Sequence, residues 1–204
     1  MQRLKELAEQ RGWVLGYQDE TWWSRLAQPN LSAWTEDDHR LRLVEQTVAK
    51  ADPDPKALAC YGLLLRAEAQ TPEQVLLRFV DGRPISAVTT QFLAWCCERL
   101  AAQGTTALLL IWDNAAWHVS REVRAWLRAH NQQVKREKQG VRILACYLPV
   151  KSPWLNAIEP KWTHTKKRVV EPDRLLSGQE LADRVCDALA CPHEPHLIMP
   201  QTVA

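Results

Sequence analysis

Residues 105–118 read TTALLLIWDNAAWH, and the reading of this stretch decides the fold. Six aliphatic or aromatic residues in a row, Ala107–Trp112, form the pattern of a strand buried on both faces. Without a turn residue the run then meets Asp113 and Asn114. A carboxylate at the end of an apolar strand has two readings. It is a cap or loop acid, since Asp is common at strand–helix junctions, or it is a functional group carried rigidly to the rim of a sheet, where the sites of open α/β sheets gather.

Upstream of this strand, TTQFLAWCCERLAAQG (89–104) places Phe92, Leu93, Cys96, Cys97 and Leu100 on one helical face and stops at Gly104. QVLLRFVDG (74–82) and KALACYGLLL (56–65) are strands, with ADPDP (51–55) as a turn cluster after a polar stretch at 37–51. GWVLGYQDE (12–20) is a strand ending in acids, preceded by a short charged helix over 2–11. Downstream, SREVRAWLRAHN (120–131) is a helix capped by Ser120 with Val123, Trp126 and Leu127 inward. NQQVKREKQG follows as a surface loop, then VRILACYLP (141–149) as a fifth strand. Helices are expected over NAIEPKWTHTKKRVV (156–170) and SGQELADRVCDALA (177–190). Three strands without intervening helices predict an antiparallel meander, and the later helical crossovers predict parallel strands. The class is α/β: a mixed five-stranded sheet flanked by helices.

The 204 residues suffice for one domain with a sizeable core, and 46% apolar with 25% charged residues is ordinary for a globular protein. No apolar run approaches the roughly eighteen residues that cross a bilayer, and the N-terminus lacks the pattern of a signal peptide, so a cytoplasmic protein with no membrane partner is expected. The six cysteines form no C-x-x-C pair and read as buried thiols, and CPHEPH (191–196) reads as a polar tail in preference to a metal site. Net charge is only +2, but basic residues concentrate at 121–142 and in KWTHTKKR (161–168). Such patches suit a nucleic-acid partner or are simply solvated helix faces. The ten tryptophans read as core first and as platforms for stacked bases second.

Asp19 occupies a place like that of Asp113, after the apolar WVLGYQ. Glu20 is beside it, but side chains alternate along a strand, so only one of the two can face a common site; Asp19 is preferred as nearer the strand proper. Glu159 lies three residues after Asn156, which is capping-box spacing, and Pro160 suits a first helical turn. A first-turn glutamate on a helix after a strand also points to the rim. Three carboxylates on a rigid scaffold are what a pair of Mg²⁺ ions needs, since these hard cations take oxygen ligands.

Assembled in this order, YQDETWW, LLLIWDNAAWHVSREVRAWL and YLPVKSPWLNAIEPKW resemble the three signature blocks of DDE-superfamily transposases, most nearly the bacterial insertion-sequence group related to mariner elements. The third block matches through Leu148, Pro149, Ser152, Pro153, Leu155, Asn156, Ile158, Glu159 and Trp162. The resemblance covers roughly residues 12–170 as an RNase H-like catalytic domain, with the short helix 1–11 ahead of it and a C-terminal helix and tail (171–204) packing on it. It implies Asp19, Asp113 and Glu159 as catalytic and metal-binding residues for two Mg²⁺ (or Mn²⁺) ions. Glu20, Asn114, His118 and Asn156 would support them, and Lys151, Trp154, Lys166, Lys167 and Arg168 would contact DNA. The implied activity is hydrolysis of phosphodiester bonds at transposon ends, then attack of the freed 3′-hydroxyl on target DNA, by a homodimer or higher multimer.

Two departures stand out. Such relatives carry a helix-turn-helix region ahead of the catalytic block, so end recognition is expected in a separate helix-turn-helix polypeptide or in a part of the protein beyond this chain. The 45 residues at 114–158 are also a long spacing for the group, with NQQVKREKQG as the extra length. The alternatives are an RNase H-like nuclease without strand transfer and a catalytically silent DNA-binding protein derived from a transposase.

Overall fold

The apolar run is a strand with all six residues buried, Ala107–Trp112. In the computed structural model, which describes residues 13–26, 32–34, 36–37, 40–42, 48–66, 73–169 and 174–200, the chain order is as follows. Strands β1 (Val14–Ser24), β2 (Ser32–Trp34), β3 (Arg40–Arg42), β4 (Ala57–Arg66) and β5 (Gln74–Val80) come first. Helix α1 (Ser86–Ala102), strand β6 (Ala107–Trp112), helix α2 (Arg121–Glu137), strand β7 (Arg142–Tyr147) and helices α3 (Glu159–Val169) and α4 (Gly178–Leu189) follow. The helix expected over 2–11 lies outside the described residues.

The main sheet has the order β5-β4-β1-β6-β7. β4 is antiparallel to β1 and to β5, whereas β6 is parallel to β1 and β7 to β6. This is the meander followed by parallel strands that the sequence predicts, in an RNase H-like order. β2 and β3 form a separate small hairpin that the sequence reading did not find. The sheet's two faces carry two cores. Leu15, Tyr17, Trp23, Cys60 and Leu64 meet Ile158, Trp162 and Val185 from α3, its approach and α4. Tyr61, Leu63, Leu108, Leu110 and Trp112 meet Phe92, Cys96 and Val123 from α1 and α2. The alternation of side chains along β1, β4 and β6 sorts them between the two layers. All six cysteines are free, four of them buried.

Three expectations are corrected. The first strand does not end at its acids. β1 leaves β6 after the pair Tyr17–Ile111 but continues against β4 as far as Ser24, so Asp19 and Glu20 lie mid-strand. Thr21, Trp22 and Trp23 are β-favouring residues, and Thr21 and Trp23 are buried, so nothing stops the strand there. The second helix does not stop at residue 131. It continues to Glu137 and absorbs most of the expected loop, because Val134 extends the stripe of Val123 and Leu127. Asn131 also fixes this helix to β7, donating to the Ile143 carbonyl and accepting from its N–H, both at 2.8 Å. The helix ends where Lys138 turns left-handed (φ 52°). The third helix starts at Glu159 and not at residue 156. A 3₁₀ turn over Pro153–Leu155 precedes it, and Asn156 is no cap. Its side-chain amide instead donates to the buried Gln18 carbonyl at 3.0 Å.

The cap expected at Ser120 is present and Ser177 caps α4 as well: their hydroxyls accept from the N–H of Val123 and Glu180, each at 3.1 Å. The segment after α4 lies along β5. Leu197 N–H donates to Phe79 O (2.7 Å) and Arg78 to the Pro195 and His196 carbonyls, which covers an otherwise open sheet edge. His193 and His196 of the CPHEPH stretch bind Asp183 and Asp81. Among the described residues no helix is long and apolar enough to cross a membrane.

Candidate active site

Strand alternation puts Asp19 and Glu20 on opposite faces of β1, and neighbours from both layers then converge on the sheet's rim. Two residues past the last β1–β6 pair, Tyr17–Ile111, come Asp19, still on β1, and Asp113, just beyond the end of β6. Asp19 faces the α3 layer. Its Oδ2 accepts from Trp162 Nε1 at 3.0 Å. That indole can approach the sheet closely because the residue opposite Asp19 on β4 is Gly62, where a Cβ would come within 2.7 Å of Trp162 Cζ2. Trp23 packs edge-on against Trp162 at 5.9 Å and donates to Cys60 Sγ.

Glu20 faces the other layer and is held from three sides. Gln18 Nε2 (2.8 Å), Trp117 Nε1 (3.1 Å) and His118 Nε2 (3.0 Å) all donate to it. His118 is fully buried and stacks on Trp112 at 4.6 Å. Its Nδ1 donates to Asp113 Oδ1 at 2.7 Å. A carboxylate therefore stands on each ring nitrogen. Burial pushes His118 down, but the Glu20 charge, the two hydrogen bonds and the Asp113 charge together lift it to about 9, so it is an imidazolium at neutral pH. The same bond holds Asp113 below the usual carboxylate range, against some opposing burial and with help from Ala115 N–H. Ala115 and His118 both use Oδ1, so Asp113 Oδ2 has no partner among the described residues. Asn114 ties this loop to the end of β7 by donating to Leu148 O.

Glu159 opens α3 above the rim. Burial raises its pKa, Lys166 opposes the rise and Asp113 adds to it. Asp19 is pushed to about 8, first by burial and then by the charges of Glu20 and Glu159. Glu159 thus interacts with both Asp19 and Asp113, and Asp19 and Glu159 are short of positive charge whereas Asp113 has His118. Among the described residues no group of three or more His, Cys, Asp or Glu side chains stands at metal-ligand spacing. The acids are gathered to electrostatic range, not to a closed cage.

The other predicted residues fall in two groups. Lys166 is held on β1: its Nζ donates to Thr21 Oγ1 at 2.7 Å and lies 5.7 Å from the Trp23 ring centre. Lys167, Arg168 and Lys151 are exposed, as is Trp154 at 74%. Trp154 edges a cleft of about 580 Å³ with Tyr17, Arg66, Lys161 and His164. Sequence reasoning missed the roles of Gly62, Gln18 and Trp117. A glycine in the middle of an apolar strand signals close approach, and KALACYGLLL carries that signal. Nothing local marks Gln18 or Trp117 as partners of Glu20.

The family described as DDE superfamily endonuclease matches residues 69–182. Solved structures share the fold. A Mos1 transposase paired-end complex with left transposon end is 15% identical with a TM-score of 0.58, over 94% of this chain and 52% of that one. The Mos1 mariner paired-end complex with Mn is 14% identical with a TM-score of 0.56, over 94% and 53%. The Mos1 strand transfer complex is 16% identical with a TM-score of 0.54, over 94% and 51%. The chain spans about half the length of each. No curated protein matches the sequence.

Proposed function

Since the chain belongs to the DDE superfamily endonucleases, we propose that it is the catalytic domain of a transposase, which hydrolyses phosphodiester bonds at transposon ends and joins the freed 3′-hydroxyl to target DNA. The observation that carries this reading is the rim arrangement. Asp19 on β1 and Asp113 just past the end of β6 each lie two residues beyond the last pair of these parallel strands, Tyr17–Ile111, and Glu159 stands close enough to raise the pKa of Asp19.

A pair of Mg²⁺ or Mn²⁺ ions fits this site by the chemistry of its donors. The three side chains offer only hard oxygens, and burial with the charges of neighbouring acids leaves Asp19 and Glu159 short of a counter-charge. Asp19, Asp113 and Glu159 would hold the ions, which supply activation of the attacking oxygen and stabilisation of the leaving one. The remaining groups hold the acids in place. Trp162 fixes one oxygen of Asp19, and His118 and Ala115 N–H fix one oxygen of Asp113. Glu20 orients His118, Asn114 anchors the Asp113 loop, and Asn156 ties the approach to α3 onto β1. Lys151, Trp154, Lys167 and Arg168 are the solvent-facing candidates for DNA contact, with Lys166 bridging to the acids. The functional assembly is a multimer on DNA, with a separate helix-turn-helix polypeptide as a further partner in end recognition.

The test is a nicking and strand-transfer assay with Mg²⁺ or Mn²⁺ on labelled duplexes bearing the element's ends, with a helix-turn-helix partner added in one arm. Cleaved and joined products are expected. Cleavage that never yields joined strands makes the protein a nuclease, and binding without cleavage in either metal makes it a silent derivative.

A further inference from the structure

The charges on α2 are sorted by side. With 3.6 residues per turn, Arg121, Arg124, Arg128, Lys135 and Arg136 fall within about 120° of arc, and both acids of the helix, Glu122 and Glu137, fall outside it. All five cations are exposed, opposite the buried Val123 and Leu127. Elsewhere many cations have acidic partners: Arg25 with Asp52, Arg66 and Lys161 with Glu73, Arg99 with Glu194. On the arc only Arg136 has one, Glu137. No carboxylate among the described residues is paired with Arg121, Arg124, Arg128 or Lys135. The arrangement works against the helix itself. Arg121–Arg124 and Arg124–Arg128 are like-charge neighbours three and four residues apart, which destabilise a helix. Arg121 and Arg124 also sit in or beside the first turn, where the helix dipole disfavours cations. A face that is merely solvated gains nothing from this.

Its position supplies a reason. α2 begins three residues after His118, and its cap Ser120 bonds to Ser86 beside Trp117. The arc therefore starts at the rim that holds Asp113 and runs away from it along the α1–α2 side of the sheet. That is the side opposite α3, where Lys167 and Arg168 lie. From Arg121 to Arg136 the helix rises about 22 Å, the length of roughly six nucleotides along one strand of duplex DNA.

We propose that this arc is a track for the phosphate backbone of duplex DNA leading off the active-site rim, on the face of the sheet away from α3. The inference rests on the DNA substrate of the reading above and adds a surface to it. The track is sequence-independent, since phosphate contacts position the duplex without reading bases.

The test is equilibrium binding of a fluorescent duplex of about 30 base pairs, without divalent metal, as a function of NaCl. Each phosphate contact contributes about 0.9 to the slope of log affinity against log salt. The variant Arg121→Gln/Arg124→Gln/Arg128→Gln/Lys135→Gln is expected to lose about 2 to 4 from that slope, with unchanged circular dichroism and an equal or higher Tm. Replacing the three arginines by lysine is expected to keep the slope. A folded glutamine variant with the parent slope overturns the track, as does a parent protein that does not bind the duplex. Cleavage is not read in this experiment. A parent that binds but never cuts DNA would sink the proposed activity and leave the track standing, and an unchanged slope would sink the track whatever the cleavage assay gives.

Discussion

Arg25 and Asp19 are largely buried ionisable groups six positions apart, Asp19 within β1 and Arg25 just past its end, and the fold treats them in opposite ways. The Arg25 side chain is 3% exposed and donates to five acceptors. Nε reaches Leu176 O (2.7 Å); Nη1 reaches Asp52 Oδ1 and the Asp54 and Pro55 carbonyls; Nη2 reaches Asp52 Oδ2 (2.9 Å). Asp54 in turn accepts from Gly178 N–H at the start of α4. One guanidinium thus joins the end of β1, the turn before β4 and the approach to α4. Asp19 has one indole N–H on its carboxylate and two other acids nearby, and its pKa rises to about 8. A buried charge that serves the fold is paired until its desolvation is offset. One left short of partners costs stability, and such groups cluster at functional sites. The contrast predicts that the two residues respond to mutation in opposite senses.

Removing either rim acid should abolish chemistry without harming the fold. Asp113→Asn and Asp19→Asn are each expected to lower DNA cleavage by about 10³-fold or more. DNA affinity should be retained, and Asp19→Asn should raise the metal-free Tm because it removes a buried charge. Unchanged cleavage in Asp113→Asn would take that residue out of the mechanism, and a lower Tm in Asp19→Asn would break the contrast with Arg25. Arg25→Leu should do the reverse. Stranding Asp52 and three carbonyls is expected to cost about 3–5 kcal/mol in urea unfolding. Whatever protein remains folded should keep its turnover per native molecule.

Gly62 tests the support beneath Asp19. Gly62→Ala places a methyl group inside the Trp162 ring's contact distance, and overpacking of this kind costs about 1–3 kcal/mol. Because Trp162 holds Asp19, cleavage should fall further than stability explains. A Gly62→Ala protein with parental cleavage would mean that Trp162 does not position the carboxylate.

Gly62 also marks how far the sequence can be read. The β6 run, the meander, the Ser120 cap and the third block's order were all visible, because each depends on periodicity or on neighbours a few residues apart. Local pattern also set the limits of that reading. Asn156 and Glu159 have capping-box spacing, yet Asn156 is drawn to the Gln18 carbonyl, 138 positions away. NQQVKREKQG is polar enough to pass for a loop, and its helical state depends on Asn131 meeting β7. Alternation showed that Asp19 and Glu20 must part, but not that Glu20 would reach Asp113 through His118. That link crosses 98 positions between Glu20 and His118, and no spacing rule encodes it.

The same link gives the most diagnostic effect, a pH dependence of stability. His118 has a folded pKa near 9 against an ordinary value of 6.5. The folded state therefore binds its proton more tightly than the unfolded chain does, and the stabilisation is fully present below pH 6.5 and lost as pH rises through 9. Asp19 acts in the same direction: raised from 3.8 to about 8, it favours the protonated folded state, and stability declines as pH climbs from about 4 to 8. Metal-free protein should therefore lose Tm steadily from pH 6 to 9. His118→Gln should flatten the upper part of that decline, and Asp19→Asn the lower. If Mg²⁺ supplies the missing counter-charge at Asp19, adding it should restore Tm most strongly at pH 8 and above, where the carboxylate is ionised. A Tm that rises with pH over this range in metal-free protein would mean that the acids are not short of positive charge, and the contrast with Arg25 would lose its basis.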